Sequence, residues 1–107
     1  MSILGTDGNN NAVQAFRFPR TGATEQITTV AATSVKTAAA LAAGFYRVYV
    51  PTGATVRLST GVFATVTATI TDMPLATGDY YGYVDVGDGI AIYDATGANV
   101  IEITLMP

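Results

Sequence analysis

Glycine-centred turn signals divide the chain, from Glu25 to its C-terminus, into short apolar segments. These segments are rich in valine, isoleucine, threonine and tyrosine, whose branched or aromatic side chains suit a pleated strand. Turns at intervals of roughly ten residues are typical of small sandwiches and barrels. We therefore predict an all-β fold, either a small antiparallel β-sandwich or a jelly-roll-like barrel.

The most regular strand pattern covers residues 62–71, where aliphatic residues alternate with threonine or phenylalanine. A period of two places Val62, Val66 and Ile70 on one face, together with the intervening alanines, and a row of threonines on the other. We expect one long strand here, with its aliphatic face directed to the core.

Further segments have strand composition: residues 45–50, 55–59, 81–86, 90–93 and 100–105. Between the first two, Pro51 presets φ for a turn and Gly53 supplies a positive φ. The sequence Gly87-Asp88-Gly89 predicts a short β-hairpin between residues 81–86 and 90–93.

Residues 34–43 are compatible with two local structures. Ser34 could cap a short helix formed by the alanines that follow, and Gly44 occupies the position after a helix C-terminus that favours glycine. The flanking residues are strand-like on both sides. We favour a strand followed by a loop over the helix.

The length of 107 residues allows one domain with a modest core. Residues 5–11 are rich in glycine and asparagine, and the chain contains no linker that would separate a second domain. We predict an N-terminal extended arm at residues 1–20 and a single β-sandwich domain at residues 21–107.

The end of this arm contains candidate interface residues, namely Phe16, Arg17, Phe18 and Arg20. Alternation in an extended segment places phenylalanine on one face and arginine on the other, which suits the addition of a strand to a neighbouring subunit. The alternative is an ordinary first strand of the sandwich.

The chain contains neither cysteine nor histidine. It therefore lacks the residues for disulfides, thiol nucleophiles, thiolate-bound metals and the commonest general base near neutral pH. We predict a non-enzymatic protein with no catalytic, cofactor-binding or metal-binding residues. The N-terminus has no secretory signal pattern and no apolar run is long enough to span a bilayer, so we expect no membrane partner.

Three aspartates, Asp85, Asp88 and Asp94, surround the predicted hairpin. They could converge on a hard cation, or a pair of them could perform glycoside hydrolysis. Aspartate is also a common turn residue that points to water, and this is the interpretation we prefer.

Tyr80, Tyr81 and Tyr83 are further candidate interface residues. Neighbouring residues of a strand face opposite sides, so at least one of Tyr80 and Tyr81 faces outward. Exposed tyrosine is frequent in protein interfaces and also stacks on sugars, and ordinary core packing is a third alternative. Nucleic acid is not an expected partner, because the chain has five basic residues and a net charge of −3.

Several short runs carry a family resemblance: residues 42–48 (AAGFYRV), 64–69 (ATVTAT), 73–75 (MPL), 86–91 (VGDGIA) and 101–104 (IEIT). Together, over about residues 25–105, they resemble the small all-β virion proteins of tailed bacteriophages, including head-decoration or cement proteins. The resemblance implies a β-sandwich or jelly-roll-like domain that assembles as an oligomer on the capsid surface. It implies no catalytic residue.

Composition agrees with an assembling subunit, because half of the residues are hydrophobic and only 12% are charged, against about 25% in an ordinary soluble domain. We expect a capsid decoration or cement subunit that is assembled into the virion in the host cytoplasm. It would form a homo-oligomer and bridge neighbouring copies of the major capsid protein or another virion protein. The alternative is a tail-associated receptor- or carbohydrate-binding module.

Overall fold

The computed structural model describes residues 3–6, 12–15, 19 and 21–107. Within these residues the chain forms ten strands and no helix. The strands are β1 (Ile3–Thr6), β2 (Ala12–Ala15), β3 (Thr24–Thr28), β4 (Thr33–Lys36), β5 (Gly44–Val50), β6 (Val56–Val62), β7 (Met73–Leu75), β8 (Gly78–Val84), β9 (Asp88–Asp94) and β10 (Val100–Leu105). No helix in the described part of the chain is long and apolar enough to cross a membrane.

Strands β3 to β10 form two four-stranded antiparallel sheets that pack face to face. Sheet I has the order β3-β10-β5-β8, and sheet II has the order β4-β9-β6-β7. The alternating apolar residues of both sheets meet between them in one core. The fully buried members of that core include Val50, Val56, Ile92 and Ile101. The prediction of an all-β sandwich is confirmed.

The predicted hairpin at Gly87-Asp88-Gly89 is wrong, although the turn itself is present. Gly87 has a φ of 84°, and the chain reverses there. However, β8 pairs with β5 in sheet I, whereas β9 pairs with β4 and β6 in sheet II. Turn chemistry specifies the reversal but not the sheet that the next strand joins. Because β9 belongs to sheet II, the side chains of Ile90 and Ile92 pack into the core from the side opposite β8.

The predicted long strand at residues 62–71 is also wrong. β6 ends at Val62, whose carbonyl accepts hydrogen bonds from the backbone N–H groups of Thr65 and Val66 at 3.0 and 2.9 Å. Of the five aliphatic residues in the pattern, Val66 and Ala68 are buried. Val62 and Ile70 are 63% and 59% exposed.

Residues 63–72 instead cover part of the outer face of sheet II. Val66 and Ala68 pack on Ala91 and Tyr93 of β9 in a second, smaller core. The alternation therefore identified two buried side chains correctly, but it contained no information about whether the backbone pairs with another strand. As a consequence β9 is buried on both faces: Ile90 and Ile92 inward, Ala91 outward.

Residues 34–43 form a strand and a loop, as favoured from the sequence. β4 ends at Lys36, and residues 37–43 then run beside the start of β9. The buried Thr37 donates its backbone N–H to the carbonyl of Ile90 at 3.0 Å, and Leu41 donates to Asp88 at 2.8 Å. These bonds hold residues 37–41 against β9, and they use the Leu41 N–H, which a helix capped at Ser34 would bond internally.

The N-terminal strands β1 and β2 pair with each other in a separate two-stranded antiparallel sheet. Phe16, Arg17, Phe18 and Arg20 lie outside the described residues. The division into an arm at residues 1–20 and a domain at residues 21–107 stays a prediction.

Candidate functional site

The outward face of sheet I collects aromatic residues from β5 and β8. In β5 the alternate residues Tyr46, Val48 and Val50 are buried in the core, so Phe45, Arg47 and Tyr49 face outward. The antiparallel register places these three residues opposite Tyr83, Tyr81 and Asp79 of β8, respectively. We call these six outward residues the aromatic face.

Three aromatic side chains of this face are largely open to solvent. Phe45 is 60% exposed, Tyr81 is 64% exposed and Tyr83 is 57% exposed. Phe45 and Tyr83 contact each other edge to face, with ring centroids 5.4 Å apart and planes at 73°. Clustered exposed aromatic side chains, unlike single ones, indicate a binding surface.

The two charged residues of the aromatic face are paired with each other. A guanidinium nitrogen of Arg47 lies 2.6 Å from a carboxylate oxygen of Asp79, and the guanidinium carbon lies 5.5 Å from the Tyr49 ring centroid. Both side chains are partly exposed, so the pair stabilises the fold by about 1 kcal/mol or less. Its main effect is that the charges of Arg47 and Asp79 cancel each other within these six residues.

An apolar groove of about 380 Å³ lies at one end of the aromatic face, lined by Phe45, Tyr81, Met106 and Pro107. The C-terminal residues are held there because Met106 donates its backbone N–H to the carbonyl of Phe45 at 2.9 Å. The groove therefore extends the exposed aromatic surface with methionine and proline side chains.

The structure separates the three tyrosines predicted for an interface. Tyr81 and Tyr83 share the outward face. Tyr80 is directed inward, packs against the core and donates its hydroxyl to the carbonyl of Ala76 at 3.0 Å. The sequence-based selection missed Phe45, which the alternation in residues 45–50 could have placed outward. It also missed Met106, which only the tertiary structure brings to the site.

Asp85, Asp88 and Asp94 do not converge. Asp88 begins β9 and Asp94 ends it, so about 20 Å of extended chain separates them. The described residues contain no group of three acidic, histidine or cysteine side chains arranged to hold a metal ion. The cation site considered from the sequence is therefore not present among these three aspartates.

Asp94 has a structural environment of its own, since its side chain is buried. Burial alone raises the pKa of this carboxyl group. Hydrogen bonds from the Asn99 side chain, the Gly97 backbone, the Thr29 hydroxyl and the Thr96 backbone outweigh that effect and lower the pKa to about 2. These bonds join the end of β9 to the segments that precede β4 and β10, which indicates a role in folding.

No protein-family model matches this chain, and neither a curated protein nor a solved structure matches it.

Proposed function

We propose that this protein is a non-enzymatic structural subunit that binds another protein through its aromatic face. The observation that carries the proposal is the cluster of exposed Phe45, Tyr81 and Tyr83 beside the apolar groove at Met106 and Pro107. Tyrosine, phenylalanine and methionine are enriched in the centres of protein interfaces, where charged residues are depleted. The paired charges of Arg47 and Asp79 fit that environment.

Within this class we propose a decoration or cement subunit of a tailed-bacteriophage head. The support is the resemblance of short sequence runs, the low charged fraction of 12% and a sandwich that presents an aromatic face on which Arg47 and Asp79 are paired. Each subunit would bridge neighbouring capsid proteins. A stable contact typically buries about 800 Å² on each partner, and repetition over a shell multiplies its effect.

A binding assay with heads that lack this protein tests the proposal. Purified protein is mixed with such heads from the phage that encodes it, and bound protein is measured after the heads are pelleted. We expect saturable binding that falls at least tenfold in a Phe45→Ser/Tyr81→Ser double variant. Ile70→Ser is the matched control, because Ile70 is equally exposed but lies on the loop over sheet II.

Particle stability tests the cement role separately. Heads with and without the protein are heated or osmotically shocked, and the surviving fraction is counted. We expect higher survival with the protein bound. If binding is saturable but survival is equal, the proposed binding face is retained and the proposed cement role is overturned. If the protein does not bind the heads, both proposals are overturned.

Carbohydrate binding is the second candidate for the same face, as in a tail-associated module. Exposed tyrosine rings can stack on sugars, but the two charged groups of the face, Arg47 and Asp79, bond each other, which leaves the tyrosine hydroxyls to bond sugar hydroxyls. The perpendicular packing of Phe45 and Tyr83 also prevents the two rings from forming one flat platform. Glycan-array binding that is lost in Tyr81→Ala would favour the carbohydrate function over the protein interface.

A further inference from the structure

Strand β8 forms one edge of sheet I. All seven of its residues, Gly78–Val84, are opposite β5 on one side, and no described residue pairs with it on the other. The unpaired backbone N–H and C=O groups of an edge strand can form a ladder with another chain. The length of β8 makes it the longest edge strand in the sandwich.

The other three sheet edges have features that oppose pairing. β7 has three residues with Pro74 in the middle, β4 has four residues and ends in Lys36, and β3 contains Glu25. Short length, proline and charged side chains are the usual means by which edge strands avoid other chains. β8 contains no proline or lysine, and its one charged residue, Asp79, is neutralised by Arg47.

We propose that two copies of this chain pair through β8, antiparallel, around a two-fold axis at Tyr81. The two copies of sheet I would then form one continuous eight-stranded sheet. Placing Tyr81 opposite the partner's Tyr81 is the one antiparallel register in which all seven residues of β8 are opposite a residue of the partner strand. A two-fold axis at any other residue leaves at least two residues of β8 unpaired.

The inward side chains fit this register. It places Tyr80 opposite the partner's Gly82, and a Cβ at Gly82 would have no atom within 4 Å. Beside Gly82 a cavity of about 90 Å³ opens between β8 and strands β6 and β7, with Tyr80, Leu58 and Met73 in its lining. Tyr80 keeps its contacts with its own core and its hydrogen bond to Ala76. The missing side chain at Gly82 leaves open the position opposite the partner's Tyr80, and two-fold symmetry produces this complementarity twice.

The outward side chains fit as well. Asp79 lies opposite the partner's Tyr83, whose hydroxyl can donate to the carboxylate. An axis at Asp79 would instead place two carboxylates directly opposite each other, which is unfavourable. With the axis at Tyr81, the aromatic faces of both copies meet and form one larger surface.

The pairing concerns the edge of sheet I, so it goes beyond the proposed function, which concerns the outward face. The first measurement is the mass of the full chain in solution, by sedimentation or light scattering, at about 100 µM. At that concentration an interface with a micromolar Kd is occupied. We expect twice the monomer mass of 11.0 kDa. Gly82→Leu should weaken dimerisation at least tenfold while the circular dichroism spectrum stays unchanged, because the added side chain enters open space in the monomer.

Disulfide cross-linking tests the register, since the chain has no cysteine of its own. Cα atoms of directly opposite residues are about 4.5–5.5 Å apart, within disulfide reach. Tyr81→Cys should therefore link two copies on mild oxidation. The matched control is Tyr83→Cys on the same strand and face, whose two copies would be about 14 Å apart and should stay unlinked.

A monomer at all concentrations would overturn the proposal, as would a dimer unaffected by Gly82→Leu, or equal linking of the two cysteine variants. None of these results bears on binding to phage heads. Conversely, a protein that fails to bind heads but links through Tyr81→Cys retains the dimer.

Discussion

The side-chain amide of Asn99 donates a hydrogen bond to the buried carboxylate of Asp94 at 2.7 Å. The same carboxylate accepts the Thr29 hydroxyl at 2.9 Å, and Thr29 in turn exchanges backbone hydrogen bonds with the segment before β10. One ionised side chain thus joins the turn at residues 94–99 to Thr29, which is 65 residues away in the sequence. Such a buried charge is stable only while all its partners are present.

The first prediction concerns acid stability. The pKa of Asp94 is about 2 in the folded protein and 3.8 in a model peptide. A lowered folded-state pKa gives stability that is fully present above pH 3.8 and is lost as the pH falls through 2. We expect a loss of about 2 kcal/mol in the free energy of unfolding over that interval, measured by urea denaturation. Asp94→Asn should remove this part of the pH dependence and Asp85→Asn should retain it; an unchanged profile in Asp94→Asn would contradict the assignment.

The second prediction concerns Gly97. Gly97 has a φ of +74°, and a Cβ there would contact the backbone nitrogen of Ala31 and approach its Cα to 2.8 Å. Gly97→Ala should therefore lower the free energy of unfolding by about 3 kcal/mol, from backbone strain and overpacking together. Gly53→Ala is the matched control, since Gly53 has a φ of +84° but open space around it, and should cost about 1 kcal/mol. Equal effects in thermal denaturation would show that the contact with Ala31 is unimportant.

The third prediction tests the loop over sheet II. Val66 packs on Ala91 and Tyr93, whereas Val62 is exposed, although the two residues belong to the same sequence pattern. Val66→Ala should lower the free energy of unfolding by about 2 kcal/mol through lost burial. Val62→Ala should change it by less than about 0.5 kcal/mol. A continuous strand with all its aliphatic residues buried would instead give similar losses at both positions.

The fourth prediction concerns the attachment of this loop. Lys36 donates to the carbonyl of Phe63 at 2.6 Å, and its ammonium nitrogen lies 4.4 Å from the Phe63 ring centroid. Lys36→Met keeps the aliphatic stem but removes both interactions, and it should cost about 1–2 kcal/mol. Amide exchange should become faster at residues 65–68 while β5 is unaffected. Uniform acceleration across both regions would indicate global destabilisation instead.

Local sequence patterns located most strands because the pattern of a strand is set by its own residues. Residues 45–50 and 100–105 were placed from composition and turn signals, and they are β5 and β10 within one residue. The site was predicted less completely. Tyr81 and Tyr83 were selected, but their contact with Phe45 depends on the register between β5 and β8, and Met106 reaches the face through the path of the C-terminus.

The sequence by itself determined that this chain forms an all-β domain of short strands, and which residues supply its turns. Those properties depend on side-chain periodicity and on local backbone preferences, which act between near neighbours. The tertiary structure decided that β8 and β9 join different sheets, that residues 63–72 cover a sheet rather than extend it, and that an aromatic face remains open. These outcomes depend on which apolar surfaces can cover each other in three dimensions, and no local pattern encodes that choice.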